Sequence, residues 1–404
     1  MKGNSKINIL IVGNGHYATG STVLDGKIPT DKDFGVLLPS ALELRHQGIV
    51  DQIYLAARDG RKMDALKKKL DLMKSKFNWD TQIRLFPEEG KVDEKAYAEA
   101  MKQLPRPGAV LIAVPDKLHK EIILEAIKNK HHFLVVKPVV TNIKDLYDII
   151  KEQEKAGVFG MVDYHKCFDE ANILLLNEYK EGKYGQLQHV FTKQTQRRDM
   201  LRIYGSWLSG SNTNVNHYLG SHYIQMVGFI TGATPISVRA TGQYGVAKKD
   251  FSIDTYDLIE TQVVWKAKDK STFVSYHLAG WSDPSETASM TYQEMHLIGT
   301  NAIVDSEQRF RGHEAEIVGK GREIINPYFF NLNNGLDGKP NLETKYGFRS
   351  IKAFVNAALS VEGGASPKEF NYLPTIKESM NVTAILEAAD KSLRKNSAVI
   401  PIKV

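Results

Sequence analysis

In the first third of the chain, short continuous apolar runs alternate with stretches whose apolar residues recur at helical spacing. "INILIVG", "QIYLAA", "GAVLIAVP" and "HFLVVKP" are β-branched runs bounded by glycine or charge. Strands buried on both faces read this way. Between them, "PSALELRHQG", "MDALKKKLDLMKSKF", "DEKAYAEAMKQL" and "HKEIILEAIKNK" carry the period of helices. Strand alternating with helix implies right-handed crossovers and a parallel sheet with helices on both faces. That first domain ends near residue 140.

From about residue 185 the pattern changes. "LQHVFTKQTQ", "ISVRATGQYG", "LIETQVVWKA", "TFVSYHLAGW" and "QEMHLIGTNAIV" are longer and alternate apolar with polar positions. "VVWKAKDKSTFVSY" reads as a hairpin with a polar loop, so this second sheet is largely antiparallel. "LPTIKESMNVTAILEAADKSLRKN" is a helix and "AVIPIKV" a closing strand. The expected fold is an α/β domain over 1–140 followed by an α+β domain over 141–404. The second carries one large, mostly antiparallel open sheet, and its last helix is expected to pack back on the first domain.

Composition narrows the classes without naming one. At 404 residues, 42% hydrophobic and 25% charged, the chain reads as an ordinary globular protein. The net charge of +6 is spread, and no basic stripe with interleaved aromatics speaks for nucleic acid. One cysteine, Cys167, excludes an internal disulfide framework and suits a reducing, cytoplasmic setting. No apolar stretch approaches the ~18 residues that cross a bilayer.

Chemistry enters at "ILIVGNGHYATG". Gly13, Gly15 and Ala18 satisfy G-x-G-x-x-G/A after the first strand of a βαβ series, the pattern of a dinucleotide-binding turn. Gly20 is left over, and "STVLDGKIPTDKDFG" intervenes before the next helical pattern. A delayed helix, with the insertion folded over cofactor or substrate, is expected. In "YLAARDGRKM" the second strand ends in Ala57 and Arg58 where a ribose-binding acid would stand. A small residue followed by arginine suits a 2′-phosphate and favours NADP, while Asp59 keeps NAD in play. Lys137 ends the wholly apolar "HFLVV" run, an expensive place for a charge without a task. In "NHYLGSHYIQMVGFITG", a helix reaching back to residue 218 sets Tyr218 and His222 at i, i+4, offset by roughly 40°. His217 then looks elsewhere. Zinc is a poor alternative, because no carboxylate accompanies the histidines at ligand spacing.

The glycine turn, "AVPDKLHKEIILEAIKNKHHFLVVKPVV" and the histidine of "GSHYIQMVGFITG" together resemble the Gfo/Idh/MocA oxidoreductase family over essentially the whole chain. The resemblance implies an N-terminal Rossmann domain, a C-terminal α+β domain whose open sheet forms a homo-oligomer interface, and NAD or NADP as cofactor. It implies hydride transfer at one carbon of a sugar, sugar acid or cyclitol. The family's Glu-Lys-Pro motif falls on Val136-Lys137-Pro138, with the glutamate absent. Its aspartate-histidine pair falls on Tyr218 and His222, with the aspartate absent. Pro115 and His119 match the residues after the fourth strand. The cofactor set is then Gly13, Asn14, Gly15, His16, Tyr17 and Arg58, with Val114, Pro115, His119 and Lys137.

"GHYATG", "DKDFGV", "DYHKCFD", "YLGSHY" and "YGFRSIKAF" resemble a D-galacturonate reductase-like subgroup. On this reading His222 is the general acid/base, Lys137 polarises oxygen or relays the proton, and Tyr218 is a supporting donor. His165 and Lys166 are pocket residues, and Arg197 and Arg198 hold a substrate carboxylate. Two rival readings are a glycoside hydrolase that retains NAD and a non-catalytic sugar or nucleotide sensor. Retention of Lys137 and His222 argues against the sensor.

Overall fold

The computed structural model describes residues 6–20, 32–208, 213–319 and 321–402. Contacts divide the chain into two compact units. The first takes in residues up to Val139, Asp145–His165 and Phe329–Lys377; the second takes in Val140–Lys144, Lys166–Tyr328 and the chain from Glu378. Each unit is therefore assembled from separated stretches, whereas the expected domains are contiguous.

The first unit holds six parallel strands: β1 (Ile7–Val12), β2 (Val50–Ala56), β3 (Arg84–Phe86), β4 (Gly108–Ile112), β5 (His132–Val135) and β6 (Gly160–Val162). Their order across the sheet is β3-β2-β1-β4-β5-β6. All six residues of β1 are buried, as a central parallel strand with helices on both faces demands. Helices α1 (His16–Thr19), α2 (Leu37–His46), α3 (Met63–Phe77), α4 (Ala96–Gln103), α5 (His119–Lys128) and α6 (Ile143–Ala156) fall between successive strands. In α3, Leu66, Leu70, Met73 and Phe77 are buried at helical spacing and the lysines between them face outward, except Lys69. The strand order reverses direction between β1 and β4, and ligands of such sheets bind outside the strands' carboxyl ends at that point.

Farther along lie α7 (Glu170–Lys180), α8 (Leu201–Leu208), α9 (Ser221–Thr231), α10 (Val246–Phe251), α11 (Tyr346–Glu362) and α12 (Ser379–Arg394). The second unit's sheet contains β7 (Leu187–Arg197), β8 (Thr234–Tyr244), β9 (Tyr256–Lys266), β10 (Thr272–Asp283), β11 (Thr291–Gly299) and β12 (Ile303–Glu307). A separate hairpin joins β13 (Glu314–Ile317) to β14 (Gly321–Ile324), and β15 (Ile400–Pro401) closes the large sheet. Sheet order is β12-β11-β7-β10-β9-β8-β15, with β7 and β10 parallel and the remaining pairs antiparallel. The β9–β10 hairpin forms as its sequence predicts. "QEMHLIGTNAIV" makes two strands rather than one, because the chain turns back after Gly299. Along β10, Phe273, Ser275, His277 and Ala279 are buried while Val274, Tyr276 and Leu278 are half exposed, the alternation of a sheet covered on one face. Of the two long C-terminal helices, α11 lies in the first unit and α12 in the second. Among the described residues no helix is long and apolar enough to cross a membrane.

Candidate active site

The glycine turn follows β1 directly. Gly13 has φ +116°, and a Cβ there would lie 2.2 Å from the Ala113 carbonyl oxygen, so this position must be glycine for the chain's own sake. Gly15 is different. Its φ is −90°, and among the described residues, its own chain neighbours aside, no heavy atom lies within 4 Å of where its Cβ would be. The space above Gly15 is what a backbone needs if a pyrophosphate is to approach it.

A helix does follow at once, against expectation, but it is a single turn, α1, and the next helix begins only at Leu37. The leftover Gly20 has a structural use. A Cβ on Gly20 would lie 2.3 Å from Asp33 O, and one on Gly35 would lie 2.5 Å from Thr19 N. The buried Lys69 ammonium donates to the carbonyls of both Gly20 and Asp33, and Val36 N–H donates to Tyr17 O at 2.6 Å. These contacts cinch the two sides of the insertion. Residues 21–31, on which the expectation of a covering loop rests, lie outside the described residues.

Beyond β2, Asp59 accepts from Arg61 at 2.8 and 2.9 Å through both of its oxygens. That carboxylate is committed to a neighbouring guanidinium. Arg58 is exposed, and its guanidinium has no partner among the described residues.

Two more strand ends complete the edge. His119 opens α5 fully buried: Nε2 lies 2.9 Å from Val114 O, and Nδ1 lies 3.0 and 3.1 Å from Pro138 O and Val139 O. With both nitrogens taken by carbonyls, His119 ties the loop after β4 to the loop after β5 and acts on any ligand through them. Lys137 stands half buried at the end of β5. On the neighbouring strand end, Asp163 is only 2% exposed. Tyr17 OH donates to its Oδ2 at 2.5 Å and Ser350 Oγ donates to its Oδ1 at 2.7 Å. Burial pushes the Asp163 carboxyl above its ordinary pKa, while the Tyr17 and Ser350 hydroxyls and the Lys137 ammonium pull it back. His165 stacks against Tyr346 at 5.7 Å and packs tilted against Phe329 at 4.8 Å, and its Nδ1 lies 3.5 Å from Tyr17 OH. Asp163 and Ser350 were not singled out from the sequence, although Asp163 begins "DYHKCFD".

In the second unit, residues Asn216–Gly220 wind as a π-turn leading into α9. The α-helical offset expected for Tyr218 and His222 therefore does not apply, because the π-turn shifts the phase between them; such turns recur at functional sites. Tyr218 OH donates to Tyr204 OH at 2.6 Å, and its ring packs on Trp207 edge-on at 5.4 Å and stacks on Trp281 at 6.1 Å. His222 is buried in the first turn of α9. His217 does look elsewhere: Nδ1 lies 3.1 Å from Asn214 Oδ1, and Nε2 lies 3.4 Å from Asp390 Oδ2 on α12. Four nearby polar atoms, Gln194 Oε1, Gln196 Oε1, Asn216 Oδ1 and Trp281 Nε1, are buried without a partner among the described residues. They lie on the π-turn and toward the ends of β7 and β10, elements that pack together. Buried polar groups without partners call for an explanation.

The remaining expected pocket residues have partners of their own. Lys166, 2% exposed, donates to Gln293 Oε1 and, at 3.1 Å, to Gln308 Oε1, and it lies 4.9 Å over the Tyr223 ring. Burial lowers its pKa to about 7. This places its ammonium in the second unit's interior rather than on an open wall. Arg197 grips Asp199 through Nε at 3.2 Å and a terminal nitrogen at 2.7 Å, which takes one edge of its guanidinium. Arg198 donates to Ser282 O at 3.2 Å, leaving its buried Nε without a partner among the described residues.

Residues 55–164 match the model of the Gfo/Idh/MocA "Oxidoreductase family, NAD-binding Rossmann fold". Among characterised proteins, 2,7-anhydro-N-acetylneuraminate hydratase of Escherichia coli (strain K12) is 28% identical over 137 residues, 33% of this chain and 36% of that protein. Glycosyl hydrolase family 109 protein 2 of Shewanella sp. (strain ANA-3) is 24% identical over 214 residues, 48% and 46% of the two chains. The matched stretches thus span about a third to a half of these relatives' length. The crystal structure of myo-inositol 2-dehydrogenase from Lactobacillus plantarum superposes with a TM-score of 0.68 at 13% identity, covering 99% of this chain and 100% of that one. Residues 55–164 are thus similar to the NAD-binding segment of that family, and the whole chain shares the fold of the myo-inositol 2-dehydrogenase.

Proposed function

We propose that this protein is an NAD(P)-dependent oxidoreductase that moves hydride to or from a carbon of a sugar, sugar acid or cyclitol. The carrying observation is the edge where β1, β4 and β5 end: an open Gly15 backbone and a half-buried lysine, Lys137, at the sheet's switch point. The residues present fit a dinucleotide, since the described residues leave clear the space over Gly15 and the end of β2 presents an exposed cation. The nicotinamide, when bound, supplies the hydride chemistry. The chain holds the dinucleotide with the glycine turn, and His119 fixes the two loops that flank it. Lys137 donates to the substrate oxygen that gains or loses a proton, and His222 is the general acid/base, with Tyr218 as a supporting donor.

Cofactor choice follows from β2. Asp59 is spent on Arg61, and Arg58 is available to a 2′-phosphate, so we assign NADP the preference. The three unpartnered amide oxygens and the indole N–H of the second unit suit a ligand rich in hydroxyl groups, which both donate and accept. A uronate, which resemblance to the D-galacturonate reductase-like subgroup implies, would draw on Arg198, because Asp199 takes one edge of the Arg197 guanidinium. The outer face of the second sheet, with Phe191, Leu258, Val264, Val274 and Leu278 half exposed, is the surface we assign to self-association as a dimer or tetramer.

The similarity to a glycosyl hydrolase family 109 protein favours one second reading, glycoside cleavage with a retained dinucleotide. One experiment separates them. Nicotinamide absorbance is followed with both cofactors across inositols, aldoses, uronates and glycosides. Net absorbance change with a cyclic polyol or sugar supports the oxidoreductase. Glycoside cleavage with no net change supports the hydrolase.

A further inference from the structure

Asp163 is a buried charge outside the roles assigned above, and its surroundings are specific. Its backbone N–H donates to Val135 O at 2.9 Å, continuing the parallel β5–β6 register in which Val135 faces Val162. One step further in that register Asp163 stands beside Val136, where the resembled motif has glutamate. Each carboxylate oxygen receives one hydroxyl, Oδ2 from Tyr17 on α1 and Oδ1 from Ser350 on α11. Those two donors come from residues 146 and 187 positions away along the chain. The Lys137 ammonium interacts with the same carboxylate. The titratable groups facing Asp163 are therefore Tyr17, Lys137 and the Tyr17 neighbour His165.

We infer that Asp163 is the positioning residue for Lys137, supplying from the end of β6 the negative charge that keeps this lysine protonated and aimed. The inference rests on the proposed role of Lys137. A carboxylate with two hydroxyl donors stays ionised more readily than a bare buried one, since both donors favour the charged form. A nearby negative charge in turn favours ammonium over amine. In carbonyl reduction, the Lys137 ammonium relays one proton to the oxygen as the carbon gains hydride, and the general acid His222 supplies the proton that restores the ammonium; Asp163 gives up nothing and keeps its charge. Tyr17 adds a link to the cofactor turn, because the hydroxyl that holds Asp163 belongs to the helix that begins at Gly15.

The test uses Asp163→Asn, with Asp163→Ser as the second variant should the first not fold; both remove the charge and keep a polar group for Tyr17. Lysines are labelled as 13C-methylamines and titrated by NMR, with Lys137→Met assigning the signal. The Lys137 midpoint is expected to fall by about one pH unit or more in the variant. The alkaline limb of kcat for reduction should move down with it, costing about tenfold at a pH on that limb, with melting temperature and NAD(P)H affinity near wild type. An unmoved Lys137 midpoint in a folded variant would overturn the inference. The titration needs no turnover, so an enzyme inactive on every substrate would count against the oxidoreductase reading while the midpoint still decides the role of Asp163.

Discussion

Asp163 and Lys166 are three residues apart, each 2% exposed, and each belongs to a different compact unit. Their partners differ in kind. Asp163 receives two hydroxyl donors and interacts with a cation, Lys137, at the carboxyl edge of a parallel sheet. Lys166 receives neutral amide oxygens from Gln293 and Gln308 and the face of Tyr223. The charges nearest to it, Asp169 and Arg311, are paired with each other at 2.7 Å. Burial opposes both charges, but Asp163 has the Lys137 ammonium interacting with it, whereas the two charges near Lys166 are paired with each other. Lys166 is consequently driven toward the neutral amine, with a pKa of about 7. Burial of an ionisable group therefore does not mark a site by itself; the partner's charge and its place at the strand ends do.

The largest expected effect separates the two lysines. Lys137→Met should lower turnover by about 10²–10⁴-fold with cofactor affinity nearly unchanged, the range for removing a proton-handling group. His222→Ala should fall in the same range, whereas a histidine that only packs would lower melting temperature and spare turnover. Lys166→Met should leave turnover within a few-fold of wild type. Equal collapse in the Lys137 and Lys166 variants would erase the contrast drawn above.

The next test stays in the first unit and compares its two turn glycines. Gly15→Val points into space the described residues leave empty, so it should fold normally and lose roughly a hundredfold in NAD(P) affinity, near 3 kcal/mol. Gly13→Val should instead unfold or fail to express, because its Cβ meets Ala113 O. Normal cofactor affinity in folded Gly15→Val would mean that nothing approaches that backbone. At the end of β2, Arg58→Ala should weaken NADPH by ~1.5–3 kcal/mol, the worth of a hydrogen bond to a charged group, and NADH far less. Calorimetry with both nucleotides checks this, and equal losses would show that Arg58 does not read the 2′-phosphate.

The last effect, the smallest per pH unit, concerns the second unit. The folded protein holds Lys166 at a pKa of about 7, below its ordinary 10.5. Between those values the unfolded chain binds the extra proton, so this group makes stability rise as pH increases, by at most about 1.4 kcal/mol per pH unit. Urea unfolding from pH 7 to 10 should show a steeper rise in wild type than in Lys166→Met. Parallel curves would mean that Lys166 is not held near neutrality.

What the sequence determined by itself was local. Unbroken β-branched runs specified the parallel strands, since a strand buried on both faces has no polar position to spare. G-x-G spacing located the turn, and a lysine closing an apolar run located one end of the ligand edge. Tertiary structure decided the partners. Asp163 acquires its role from Tyr17 and Ser350, which no period or motif joins to it. Arg197 finds Asp199 and Lys166 finds two glutamines distant in sequence, partners that their reading from the sequence did not supply. The π-turn before α9 likewise escapes a pattern read at 3.6 residues per turn. Apolar periodicity reports which side of an element is buried. A buried charge, by contrast, is governed by groups that come from distant parts of the chain, and only the folded packing brings them to it.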